Sequence, residues 1–167
     1  QYDDAWIVYR MARNVAEGVG WCFTPGTAWN PSTSVLNTLL IAGIGWCGLT
    51  FPAAAHLAGA MAVAAAGAIV YHLFSRYARL GEFCGMVGGL ATVWWLATNC
   101  TWGLETNLFI ALVLAFVLAE FARWEGWAWA LLGLAILARP DALLLAALKL
   151  GVCLYRRRLP RQAAWAV

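Results

Sequence analysis

The sequence predicts an all-α integral membrane protein, on three observations. Of 167 residues, 63% are apolar and only 11% are charged. Soluble domains average roughly 25% charged residues, which ordinarily face water, so this chain cannot clothe a soluble globule of its size. Mean hydropathy is +0.72. The charges are also grouped: none occurs in the 58 residues from Gly18 to Ser75, nor from Phe83 to Leu104, 106–119, 126–138 or 142–148. Soluble enzymes and disordered chains are excluded, and a net charge of +3 offers no basic patch for nucleic acid. The five cysteines lie far apart without metal-ligand or disulfide-framework spacing, and are expected as buried apolar residues.

Taken in order, residues 5–17 place Arg10, Arg13, Asn14 and Glu17 on one side of a helix, with Ile7, Val8, Met11, Ala12 and Val15 on the other. Such a helix is too short and polar to span and suits the membrane interface. Gly18, Gly20, Pro25 and Gly26 mark a loop. Asn30-Pro31 suits a helix start, and Ser32 to about Trp46 reads as a second interfacial or re-entrant element. Crossings are expected at about 51–74, 84–100, 105–122, 126–138 and 142–155, with Thr50 and Pro52 beginning the first. The last two flank Arg139-Pro140-Asp141, where proline removes a backbone donor and stops a helix. Gly81, Gly85 and Gly89 recur every four residues, a ridge for close helix packing. His56 and His72 are expected as packed or interfacial residues.

The chain thus divides into an outer-face loop with interfacial helices, 1–50, and a transmembrane bundle of about five crossings, 51–167. With 1–50 outside the cytoplasm, Arg76, Arg79, Arg123, Lys149, Arg156, Arg157, Arg158 and Arg161 fall on inward loops, against Arg10, Arg13 and Arg139 outside. The non-methionine start and the apolar run at 163–167 suggest a piece of a longer chain.

The same orientation gathers Asp3, Asp4, Glu105, Arg139 and Asp141 at one membrane face. Each has an ordinary reading: Asp4 as a cap for a helix from Ala5, Glu105 on its own helix dipole, Arg139 with Asp141 as a solvated pair, and Arg13 with Glu17 as a surface pair. Together they can do chemistry. Adjacent carboxylates repel, so one is poised as a general base, and arginines present a rigid fork suited to phosphate. A base and phosphate-binding arginines at a membrane surface point to transfer from a lipid-linked phosphate.

Asp3-Asp4-Ala5-Trp6-Ile7-Val8-Tyr9-Arg10-Met11-Ala12-Arg13-Asn14, followed by Glu17-Gly18-Val19-Gly20, resembles the first periplasmic loop of polytopic class C (GT-C) glycosyltransferases. It is most similar to their terminal arabinofuranosyltransferase-like branch, which reads Asp-Asp-Ala, Tyr-Arg-Tyr-Ala-Arg-Asn and Glu-Gly-x-Gly. Pro25-Gly26, Thr33-Ser34 and Thr38-Leu39-Leu40 resemble the loop that follows. Gly103-Leu104-Glu105-Thr106 and Arg139-Pro140-Asp141 are similar to the family's Gly-Met-Glu-Thr and Arg-Pro-Glu motifs. Met11 stands where tyrosine is usual, Asn37 where an aromatic residue is common, and 27–31 lacks the glutamates often found there.

The resemblance implies a partial GT-C-type bundle without its first helix and C-terminal half, and an enzyme of the cytoplasmic membrane with its active site facing outward. The implied donor is a polyprenyl-phosphate sugar, and the acceptor is a hydroxyl of a glycan or lipid. Asp3 or Asp4 would be the catalytic base for attack with inversion. Arg10, Arg13 and Arg139 would hold the leaving phosphate, and Glu105 and Asp141 complete the substrate-binding set. A divalent metal ion between carboxylate and phosphate is compatible with this scheme, but no His/Cys cluster implies one. The alternatives are a lipid-phosphate transporter or flippase subunit without catalysis, and an assembly protein whose charges anchor its loops.

Overall fold

The computed structural model describes residues 3–26, 34–100 and 104–158, with the side chains of 3, 4 and 156–158 left aside. These residues are all-helical. Asp3–Ala16 forms α1, Val35–Trp46 α2, Phe51–His72 α3, Glu82–Asn99 α4, Thr106–Phe121 α5, Glu125–Ala138 α6 and Leu143–Arg158 α7. A wide π-turn, Leu73–Tyr77, prolongs α3, and a 3-10 turn, Pro140–Ala142, links α6 to α7.

The helices lie where the uncharged stretches predict them, but lengths differ from the expected spans. Among the described residues only Phe51–Tyr77 is long and apolar enough to cross a membrane: it has 27 residues, and an 18-residue stretch within it has a mean hydropathy of 1.8. The 16 residues of α5 and 14 of α6 extend only about 24 and 21 Å at 1.5 Å per residue, less than a hydrocarbon core of about 30 Å. The α5–α6 link at Ala122–Trp124 and the Arg139-Pro140 break set those limits. The expected helix start at Asn30-Pro31 lies outside the described residues; the described part of α2 begins at Val35, behind Ser34.

α3 and α4 pack antiparallel through glycine. A Cβ on Gly89 would lie 2.8 Å from the Gly67 carbonyl oxygen, and one on Gly85 would lie 2.9 Å from that of Tyr71. The ridge therefore acts in packing at Gly85 and Gly89. Gly81 differs: its φ of +88° turns the chain into α4, and it touches no neighbour. α5 runs parallel to α3, with Ala111 packed among Ala62, Val63, Ala66 and Leu96.

α1 packs into the bundle. Ala5, Val8, Tyr9 and Ala12 form a buried cluster with Ile41 and Ala42 of α2 and Ala54 and Ala55 of α3, and Leu104 rests on it. The predicted apolar side is thus covered by helices. Asn14, assigned to the polar side, is instead buried. The buried-cysteine expectation holds for Cys22 alone. Cys47 and Cys84 are exposed and Cys100 and Cys153 half-buried; Cys100 packs at the edge of the cluster around Ala66 and Leu96.

Candidate functional site

One end of the bundle gathers the N-terminus of α3, the N-terminus of α5, the C-terminus of α6, and the α1–α2 pair. Leu104 seats the start of α5 on the α1–α2–α3 cluster. The Arg139 guanidinium, at the end of α6, lies 5.7 Å from the Phe109 ring centre in the first turns of α5. α2 packs on α6 as well.

α1 builds a groove at this end. Its peptide chain turns back at Gly18 and Gly20, both at positive φ (+75° and +111°), a conformation glycine adopts without strain. Val19 and Gly20 donate backbone N–H bonds to the Asn14 carbonyl (2.9 and 3.2 Å). The Asn14 amide donates to the carbonyls of Cys22 (2.7 Å) and Phe23 (3.2 Å). Asn14 is thereby a buried bracket holding the loop, and the burial cost of its amide is met by these bonds. Phe23 comes to lie 4.7 Å beneath the Arg10 guanidinium, within cation–π range. The resulting cavity of about 850 Å³ is lined by Trp6, Tyr9, Arg10, Arg13, Phe23 and Phe51, among others.

Within the groove, Arg13 Nε donates to Glu17 Oε1 at 2.8 Å, with both side chains about half exposed. This is the ordinary surface pair considered from sequence, and it contributes only a few tenths of a kcal/mol. Tyr9 is 3% exposed, and among the described residues its hydroxyl has no hydrogen-bond partner. Burial pushes the phenol above its ordinary 10.0, so it stays a proton donor throughout the neutral range.

The other expected residues are arranged as follows. Asp3 and Asp4 lie in the first turn of α1, so Asp4 is inside the helix rather than its cap; their side chains lie outside the described residues. Glu105 is the N-cap residue of α5 without a side-chain capping bond, and is half-buried. Arg139 Nη2 meets Asp141 Oδ2 at 3.0 Å, with 37% and 66% of the side chains exposed. Glu105, Arg139 and Asp141 do not line the α1 groove. Among the described residues this end therefore carries two charged places, the arginine groove and the Arg139–Asp141 corner, rather than one shared cavity. His56 is exposed, its Nδ1 2.6 Å from the Pro52 carbonyl oxygen. His72 is exposed beside the Tyr71 ring. Among the described residues no three His, Cys, Asp or Glu side chains cluster as a metal site.

Two features are not apparent from the charge pattern. Asn107, in the first turn of α5, is fully buried, and among the described residues neither its amide atoms nor the Asn37 amide nitrogen in α2 has a partner. The only hint in the sequence is an amide in an otherwise apolar stretch. Lys149, expected on an inward loop, instead lies within α7, where it is buried and paired with Glu120. Between that pair and the Arg139–Asp141 corner, α5, α6 and α7 carry no charged residue at 106–119, 126–138 or 142–148. No protein-family model, curated protein or solved structure matches this chain.

Proposed function

We propose that the protein is a membrane-embedded glycosyltransferase that moves a sugar from a polyprenyl-phosphate donor to an acceptor hydroxyl at the outer face of the cytoplasmic membrane. The observation that carries this reading is the placement of α1, whose first turn holds Asp3 and Asp4 and whose Arg10 and Arg13 line a groove of about 850 Å³. α1 shares its end of the bundle with Glu105 and Arg139. A carboxylate base and guanidinium groups at one apolar–aqueous boundary suit deprotonation of a hydroxyl and stabilisation of a departing phosphate.

In this reading α3 to α7 are spans of a larger GT-C-type bundle, with neighbouring helices and local thinning making up the short ones. Exposed aromatic residues support that placement. Trp46, Trp94 and Trp95 stand toward the α1 end, and Phe83, Phe121, Trp124 and Trp127 toward the other, as expected of two interfacial belts. The basic excess at the far end agrees with a cytoplasmic side there. Arg10 and Arg13 would meet the donor phosphate in the groove. Arg139, held over Phe109, would act at its margin.

The test uses the full-length protein in bilayers with a polyprenyl-phosphate sugar. Asp3→Asn and Asp4→Asn should each abolish transfer while leaving the protein folded; unchanged turnover in both removes the base. Arg139→Ala should weaken donor binding, and an unaltered affinity removes its phosphate role. A cysteine introduced by Arg157→Cys should be labelled only from the cytoplasmic side; labelling from outside reverses the topology.

A further inference from the structure

α7 is apolar around nearly its whole circumference, yet it makes little contact with the rest of the molecule. Leu143, Leu144, Leu148, Leu150 and Leu154 are all more than half exposed. Within Leu143–Tyr155 the one buried residue is not a leucine but Lys149. Its side chain is 6% exposed, and its ammonium donates to the Glu120 carboxylate at the end of α5. The same ammonium lies 4.9 Å from the Trp129 ring centre on α6 and 5.6 Å from that of Phe116 on α5. One cation thus joins three helices. A lysine in an apolar helix ordinarily stretches toward water. Here it reaches inward, because a carboxylate and two aromatic faces together replace its hydration.

The other attachment of α7 is its covalent link through Arg139-Pro140-Asp141. Pro140 lacks a backbone donor, and Arg139 is extended at φ −150°, so the helical hydrogen bonding of α6 does not continue into α7. A helix joined by such a corner and one charged contact can pivot when that contact opens.

We propose that Glu120 and Lys149 form a charge latch that decides whether α7 lies against the α5–α6 pair or swings away about the Arg139-Pro140-Asp141 corner. Apolar packing contributes little beside it, since five of the six leucines of α7 are more than half exposed and Leu145 is only half-buried. The latch has an open side. Glu120 is 44% exposed and borders a polar cavity of about 510 Å³ lined by Arg123 and Glu125, so water and ions reach the carboxylate while the lysine stays shielded. The inference is independent of the catalytic reading.

The experiment places nitroxide labels on the native Cys84 of α4 and Cys153 of α7. Cys22, Cys47 and Cys100 are changed to alanine, and the full chain is reconstituted in bilayers. The unaltered pair should give one narrow label-to-label distance. Lys149→Met and Glu120→Gln should each lose that narrow component and gain a broad one, with helical content retained. The swapped double variant, Glu120→Lys with Lys149→Glu, should recover the narrow component. A narrow distance persisting in Lys149→Met overturns the latch. So does failure of the swap to restore order, which would mean that shape holds the helix. If Lys149→Met does not fold, Glu120→Gln and the swapped variant decide by the same outcomes.

Discussion

The α3–α4 interface and the attachment of α7 join apolar helices in opposite ways. At α3–α4 the backbones approach closely: a Cβ at Gly85 or Gly89 would meet a carbonyl oxygen of α3, and one at Gly67 would meet the Val93 side chain and the Gly89 carbonyl oxygen. At α7 a single buried charged side chain spans the gap, while most of the apolar residues are exposed. Close packing of small residues gains many weak dispersion contacts that cannot be switched off singly. An ion pair concentrates the attachment in two groups, each of which carries a desolvation cost if its partner is lost. The first interface is suited to permanence and the second to adjustment.

The largest effect should come from filling the glycine contact. Gly89→Leu should separate α3 from α4 and prevent stable folding, read by loss of a cooperative thermal transition, because the obstacle is the Gly67 carbonyl oxygen and cannot rotate away. Gly89→Ala should cost about 2 kcal/mol, in the range of core overpacking. Next come the latch variants, which should be unequal. Glu120→Gln leaves the Lys149 cation buried without its counter-charge and should cost about 3 kcal/mol. Lys149→Met should cost less, since the remaining carboxylate is partly exposed and methionine suits an apolar site. Equal costs in denaturation experiments would contradict the picture of a shielded lysine and a wetted glutamate.

Smaller effects sharpen the comparison. Gly133 sits in α6 with open space around its missing side chain, so Gly133→Ala should stabilise by about 0.5–1 kcal/mol through helix propensity alone. A loss there would mean that α6 has a close neighbour after all. Tyr9→Phe removes a buried hydroxyl with no partner and should be neutral or stabilising by about 0.5 kcal/mol. The Tyr9 phenol is raised by burial, so the folded state holds its proton more tightly than the unfolded chain does. Its contribution is therefore intact below the ordinary value of 10.0 and lost as pH rises above that value through the folded one. The unaltered protein should lose stability more steeply than Tyr9→Phe above that point. Identical alkaline profiles would contradict the burial of the phenol.

Much of the fold is legible in the amino-acid sequence. Helices occupy the uncharged stretches because every backbone donor and acceptor in an apolar chain must be met within its own segment, and the breaks fall at glycine, proline and charge. The Gly85–Gly89 repeat announced a close contact but not its partner Gly67, since spacing within one helix does not reveal what lies opposite. The charged residues of α1 were read on one face by periodicity. Asn14 was misassigned, because its role depends on the chain returning through Gly18 and Gly20. Arg10 and Arg13 do line a groove, whereas Arg139 and Asp141 pair with each other at a separate corner of the same end.

What the residues determined by themselves was local and compositional: apolar helical segments, their limits, an amphipathic first helix, and an uneven distribution of charge. These follow from backbone hydrogen bonding and solvation, which act along the chain. The tertiary structure alone decided which polar groups are buried and who answers them. Lys149 looked like a loop residue because a lone lysine near a helix end usually reaches water. Packing placed it instead between Glu120, Trp129 and Phe116, which lie 29, 20 and 33 positions away in sequence. The stability of a buried charge depends on such distant partners, and no local pattern encodes them.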